Sequence, residues 1–209
     1  MKKKIVSALV LTVVITIAAL LMNLFKSPVR YYAFPAVLII LPLIFDRTFL
    51  PANLLRPSWK GFNLFFFVSI AVIIVYPVLF FFYWISIKNN LLTIPESGEI
   101  FKAVGKGVVA VAVAAIPEEF FFRGYLQEHA FSQFDKKFFK IITLKNFFTS
   151  LLFGAVHAIA FLDITRASTF FPSLLFGLFT EKSGSRIFYS ISFHVISNIL
   201  AFVLWTFIK

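Results

Sequence analysis

Three stretches of this chain run without a single Asp, Glu, Lys or Arg: residues 5–25, 61–87 and 187–208. Each is long enough to cross a bilayer, which takes about 20 apolar residues with a range of about 17 to 25. Lipid offers no hydrogen bonds, so a crossing segment must satisfy its own backbone, and an isolated segment of this length does so as a helix. Residues 31–45, about 104–122, 146–162 and 167–180 are shorter or interrupted, yet too apolar for a water-exposed helix. The pattern predicts an all-α, polytopic bundle of seven to eight transmembrane helices, folded as a single membrane domain over residues 1–209 with a polar intramembrane cavity. Composition agrees: 60% of the residues are hydrophobic, against about 45–50% in soluble domains. The segment 124–142 mixes Phe with Lys, Glu and Gln, and it reads as an amphipathic helix lying at the membrane interface.

The net charge of +11 follows from topology, since the basic residues sit in short loops between apolar segments; nucleic acid is not an expected partner. With seven spans and the N-terminus inside, thirteen Lys and Arg fall on the inner side and seven on the outer, from Lys26 to Lys209. That excess predicts a cytoplasmic N-terminus. Lys2, Lys3 and Lys4 precede a 21-residue apolar run without a small-residue cleavage site, which reads as an uncleaved first helix. The absence of Cys removes disulfides and thiolate chemistry.

Against this background the ionisable side chains within the spans are few: Glu118, Glu119, His157 and His194, with Asn198 one turn beyond the last. A charge at membrane depth costs about 2.5–3.5 kcal/mol on insertion scales, so such groups face a bundle interior or wet cavity and by default mark a functional site. At about 1.5 Å rise per residue, Glu118 lies about 7 Å from Arg123, His194 about 12 Å from Arg186 and His157 about 17 Å from Asn146. All three therefore fall between the cytoplasmic face and the midplane, on different helices. Glu119 and Arg123, at i and i+4, can pair and neutralise each other. Glu118 is then turned about 100° away and points elsewhere. His194 and Asn198 share the i, i+4 spacing and can address one cavity. Pro117 removes a backbone bond just before the carboxylates, and Gly154, Ala155 and Ala158 permit close helix approach near His157. His129, Glu128 and Asp163 read as surface residues.

This set suits water activation without a covalent nucleophile. A carboxylate can act as general base, an imidazole can orient the water, and a second His with an Asn amide can donate to a tetrahedral oxyanion. No HExxH helix and no buried Asp pair occurs, and Gly184-Ser185 lacks a suitably spaced His for a serine dyad. Two other classes use similar residues: a non-catalytic immunity or partner-binding protein, and a proton-coupled transporter, although the halves show no internal symmetry.

EEFFFR (118–123), FGAVH (153–157) and HVISN (194–198) are similar, in order, to the EExxxR, FxxxH and HxxxN motifs of the CAAX prenyl endopeptidase and bacteriocin-processing (CPBP, or Abi) family. The resemblance covers about residues 100–200, a catalytic core within the membrane domain. It implies an intramembrane endopeptidase acting on a peptide or membrane-associated protein, with Glu118 as the base that activates water alongside His157. His194 and Asn198 would form the oxyanion hole, and Glu119 and Arg123 would brace the site. The mechanism it implies needs no metal or other cofactor; the zinc alternative would place the ion on Glu118, His157 and His194 with one position open for water.

Overall fold

The computed structural model describes residues 2–24, 30–49, 51–88, 91–138 and 141–208; Lys26, Lys140 and Lys209, used in the charge count, lie outside them. Helix α1 (Lys2–Leu24) is followed by α2 (Arg30–Phe45) and α3 (Phe62–Ile87), then by α4 (Ser97–Ala130). After a two-stranded antiparallel hairpin, β1 (Lys137–Phe138) with β2 (Ile142–Thr143), come α5 (Leu144–Phe161), α6 (Phe170–Lys182) and α7 (Phe188–Trp205). A 3₁₀ turn, Ile164–Thr169, joins α5 to α6.

Among the described residues five helices are long and apolar enough to span a membrane: Lys3–Leu24, α3, α4, α5 and α7. Helices α2 and α6 are apolar but shorter, at 16 and 13 residues. The protein is therefore an all-helical integral membrane protein.

Helix α4 is the hub. It packs against α1, α2, α5, α6 and α7, while α3 stays at the periphery against α7. Phe120, Phe121, Phe122, Tyr125 and Leu126 are buried there, whereas Phe66, Phe67 and Phe82 on α3 are exposed to the lipid level. The Phe-rich runs thus divide between core and lipid according to the position of their helix, not their composition. Between helices in lipid there is no hydrophobic driving force, so close packing and interhelical hydrogen bonds hold the bundle. Gly154 illustrates the packing: a Cβ there would stand 2.8 Å from the Ala167 carbonyl oxygen, so only Gly lets the 3₁₀ turn rest on α5.

The stretch 124–142 is not an interfacial helix. Its first part continues α4 to Ala130, with Gly124, Tyr125, Leu126 and Gln127 buried, and the remainder is a turn and the hairpin. The polar residues that suggested an interface find partners inside the protein. Gln127 donates to the Gly177 carbonyl at 3.0 Å, and Glu128 holds Lys145 at 3.2 Å and accepts from Ser185 at 2.5 Å. Glu128 and His129 are therefore not surface residues; His129 Nε2 lies 2.9 Å from Asp46 Oδ2, tying the end of α4 to the end of α2. Asp163 is exposed, as expected, and caps the 3₁₀ turn through Thr165.

Candidate active site

Pro117 shapes the helix that carries both carboxylates. Lacking an N–H, it cannot bond the carbonyl four residues back, and the ladder adjusts around it. Val111–Ala115 widens into a π turn, with Ile116 N–H bonding the Val111 carbonyl, before the short α-helical stretch Ile116–Glu119. Phe120–Ala130 is π-helical again. Such widened turns commonly occur at functional sites. Here they flank Glu118 and Glu119.

The two neighbouring carboxylates face different surroundings. Glu119 and Arg123 are both fully buried, and Arg123 Nε lies 3.4 Å from Glu119 Oε2. Glu119 also accepts a bond from Ser190 on α7, and its other oxygen lies 3.0 Å from His194 Nδ1. Arg123 reaches Gln127 at 3.4 Å and Ser173 on α6, with its guanidinium 5.7 Å and 5.8 Å from the rings of Phe153 and Phe176. A buried pair of this kind survives only when its remaining lone pairs and protons also find partners. The network ties α4, α6 and α7 together.

Glu118 points the other way, into a cavity of about 440 Å³ that His157, His194 and Asn198 also line. Its Oε2 is 3.8 Å from His157 Nε2 and 3.9 Å from His194 Nε2. Both imidazoles are held from behind. His157 Nδ1 lies 2.9 Å from the Phe153 carbonyl oxygen and His194 Nδ1 bonds Glu119. A carbonyl and a carboxylate only accept, so each Nδ1 is the donor and each Nε2 is turned toward Glu118. The Nε2–Oε2 separations exceed direct hydrogen-bond length and suit a bridging water.

All six residues singled out in the sequence thus occupy two connected layers: Glu118, His157, His194 and Asn198 on the cavity, and Glu119 with Arg123 beneath. Sequence reasoning missed Ser190, Ser173 and Gln127 in the lower layer. Gln127 was legible as the next member of the 119, 123, 127 stripe, and Ser190 as the residue one turn before His194; Ser173 carries no such signal. It also missed the far wall, where Asn23 and Arg166 line the same cavity.

The zinc alternative fits this donor set poorly. Ligand atoms around a tetrahedral zinc with bonds of about 2.0–2.1 Å stand roughly 3.3 Å apart, closer than either Nε2–Oε2 separation. Among the described residues no group of three or more His, Cys, Asp or Glu side chains is arranged to hold a metal ion.

Residues 100–200 match the family model described as Rce1-like, type II CAAX prenyl endopeptidase Rce1-like. No curated protein and no solved structure matches the chain.

Proposed function

Since the chain belongs, through its residues 100–200, to the CAAX protease family, we propose that it is an intramembrane endopeptidase in which Glu118 activates water for attack on a peptide bond. The observation that carries this reading is the approach of Glu118 Oε2 to two imidazole Nε2 atoms, at 3.8 Å and 3.9 Å, on one cavity with Asn198. Water held there donates one hydrogen to Glu118 and the other to the neutral Nε2 of His157, leaving a lone pair for the substrate carbonyl. Glu118 takes the proton as the O–C bond forms, and the carbonyl electron pair moves to oxygen. Asn198 and His194 donate to that oxyanion. Because His194 already donates from Nδ1 to Glu119, it donates from Nε2 only as the doubly protonated ring, a cation flanked by two carboxylates. Collapse of the intermediate breaks the C–N bond, and the departing amine takes its proton from Glu118.

In this reading the protein needs no metal, its substrate is a peptide or membrane-associated protein, and it works within the lipid bilayer. Helices α2 and α6 also cross the membrane, which gives seven passes with the N-terminus cytoplasmic. Purified protein is assayed on a fluorogenic peptide panel with and without chelator. Hydrolysis that persists in chelator and disappears in Glu118→Ala supports the proposal. Unchanged turnover in Glu118→Ala ends the catalytic assignment, and loss on chelation with recovery on added Zn²⁺ ends the metal-free mechanism.

A further inference from the structure

The cavity has charge at both ends, and only one end belongs to the proposed catalytic group. Glu118 stands at one side. Among the described residues lining the cavity, Arg166 is the one basic side chain, and it stands on the 3₁₀ turn beyond the end of α5. A ladder of rings joins the two. The ring of His157 stacks on that of Phe161 at 6.3 Å, and the Arg166 guanidinium lies 4.0 Å from the Phe161 ring. Arg166 is therefore within about 10 Å of His157. An extended peptide advances about 3.3–3.6 Å per residue, so that span corresponds to roughly three residues.

Arg166 is held in place yet available. The Phe161 face fixes the guanidinium by a cation–π contact. Its other restraint is Asp163, 3.6 Å away, with both side chains nearly half exposed. Exposed pairs of this kind contribute little, about 0–1 kcal/mol. Asp163 does not depend on the arginine, because its Oδ1 accepts both the backbone N–H and the hydroxyl of Thr165, at 3.0 Å and 2.7 Å. The guanidinium can exchange Asp163 for another carboxylate without stranding a charge, and its planar fork matches that group in two-point contact.

We infer that Arg166 is a specificity-determining residue: it binds a carboxylate of the peptide about three residues to the C-terminal side of the bond placed at Glu118. Glu118 repels the same carboxylate, so the two charges together set the direction in which the chain lies. The carboxylate is either the chain terminus or an acidic side chain. This rests on the reading of the cavity as the peptide site, and binding tests it separately from hydrolysis.

The full-length protein, carrying Glu118→Gln to prevent turnover, is placed in lipid nanodiscs and titrated with three dye-labelled apolar heptapeptides. One ends in a free carboxylate, one in an amide, and one in an amide with Asp near that end; fluorescence anisotropy reports affinity. At least one acidic peptide is expected to bind about tenfold or more tightly than the neutral one, and which of them does so identifies the source of the carboxylate. Adding Arg166→Gln should erase the difference without weakening the neutral peptide. Adding Asp163→Asn, which keeps the Thr165 cap, should tighten the acidic peptide, a gain that misfolding does not produce. Equal affinity for all three peptides, no binding by any, or discrimination that survives Arg166→Gln overturns the inference. Carboxylate-dependent binding without hydrolysis by the wild-type protein would instead sink the protease reading and leave this one standing.

Discussion

His194 Nδ1 stands 3.0 Å from Glu119 Oε1, and that single contact joins the buried ion pair to the cavity. It fixes the imidazole so that Nε2 faces Glu118, 3.9 Å away. The adjacent acids on α4 therefore divide the work through one ring: Glu119 holds it, and Glu118 shares its open side.

Glu118→Gln keeps the shape of the side chain but removes its ability to take a proton. General-base contributions are typically about 10²- to 10⁴-fold, so kcat should fall by that much while the melting temperature in detergent stays near wild type. A small kinetic effect would move the base elsewhere.

Removing one half of the buried pair leaves an uncompensated charge. Arg123→Met should destabilise the protein by about 3–5 kcal/mol, read from thermal unfolding in detergent. The double variant Glu119→Leu with Arg123→Met should recover much of that stability but not activity, because His194 loses the carboxylate that orients it. Full recovery of kcat in the double variant would show that Glu119 has no positioning role.

Asn198→Ala tests the oxyanion assignment. Loss of one such donor costs about 10²–10³ in kcat, and KM should change little, since the donor acts on charge that develops only during reaction. Steady-state kinetics on any cleaved peptide separates the two parameters.

Gly177→Ala should destabilise the bundle by about 1–3 kcal/mol through overpacking. The added Cβ would overlap the Asn146 carboxamide and stand 2.6 Å from Gln127 Oε1. Both carboxamides are committed to interhelical bonds with α6, Gln127 to Gly177 and Asn146 to Leu174. Unfolding midpoints compared with those of Gly98→Ala, where a Cβ meets nothing within 4 Å, isolate the effect.

Asp46 gives a pH dependence outside the membrane. Partial burial pushes its carboxyl up, but hydrogen bonds from Thr48 and His129 outweigh that and hold it below the ordinary value. A group lowered on folding stabilises the protein above its unfolded pKa of about 3.9, and the contribution is lost as pH falls through the lower folded value. Unfolding midpoints should therefore drop more steeply below about pH 4 in the wild type than in Asp46→Asn.

The sequence alone determined that this chain is a helical membrane protein, because charge-free runs longer than a bilayer leave the backbone no other partner than itself. It also determined which groups would seek one another. Glu118, Glu119, His157, His194 and Asn198 are too costly to face lipid, and i, i+4 spacing paired Glu119 with Arg123. The tertiary structure decided what local periodicity does not carry. Gln127, Glu128 and His129 look like an interfacial face until Gly177, Lys145, Ser185 and Asp46 are brought to them by distant segments. Which carboxylate faces the cavity depended on the widened turns around Pro117, and Arg166 joined the cavity only because Gly154 lets the 3₁₀ turn lie close against α5. A single helix states which side chains need partners; only the packing of several helices supplies the partner and sets the distance.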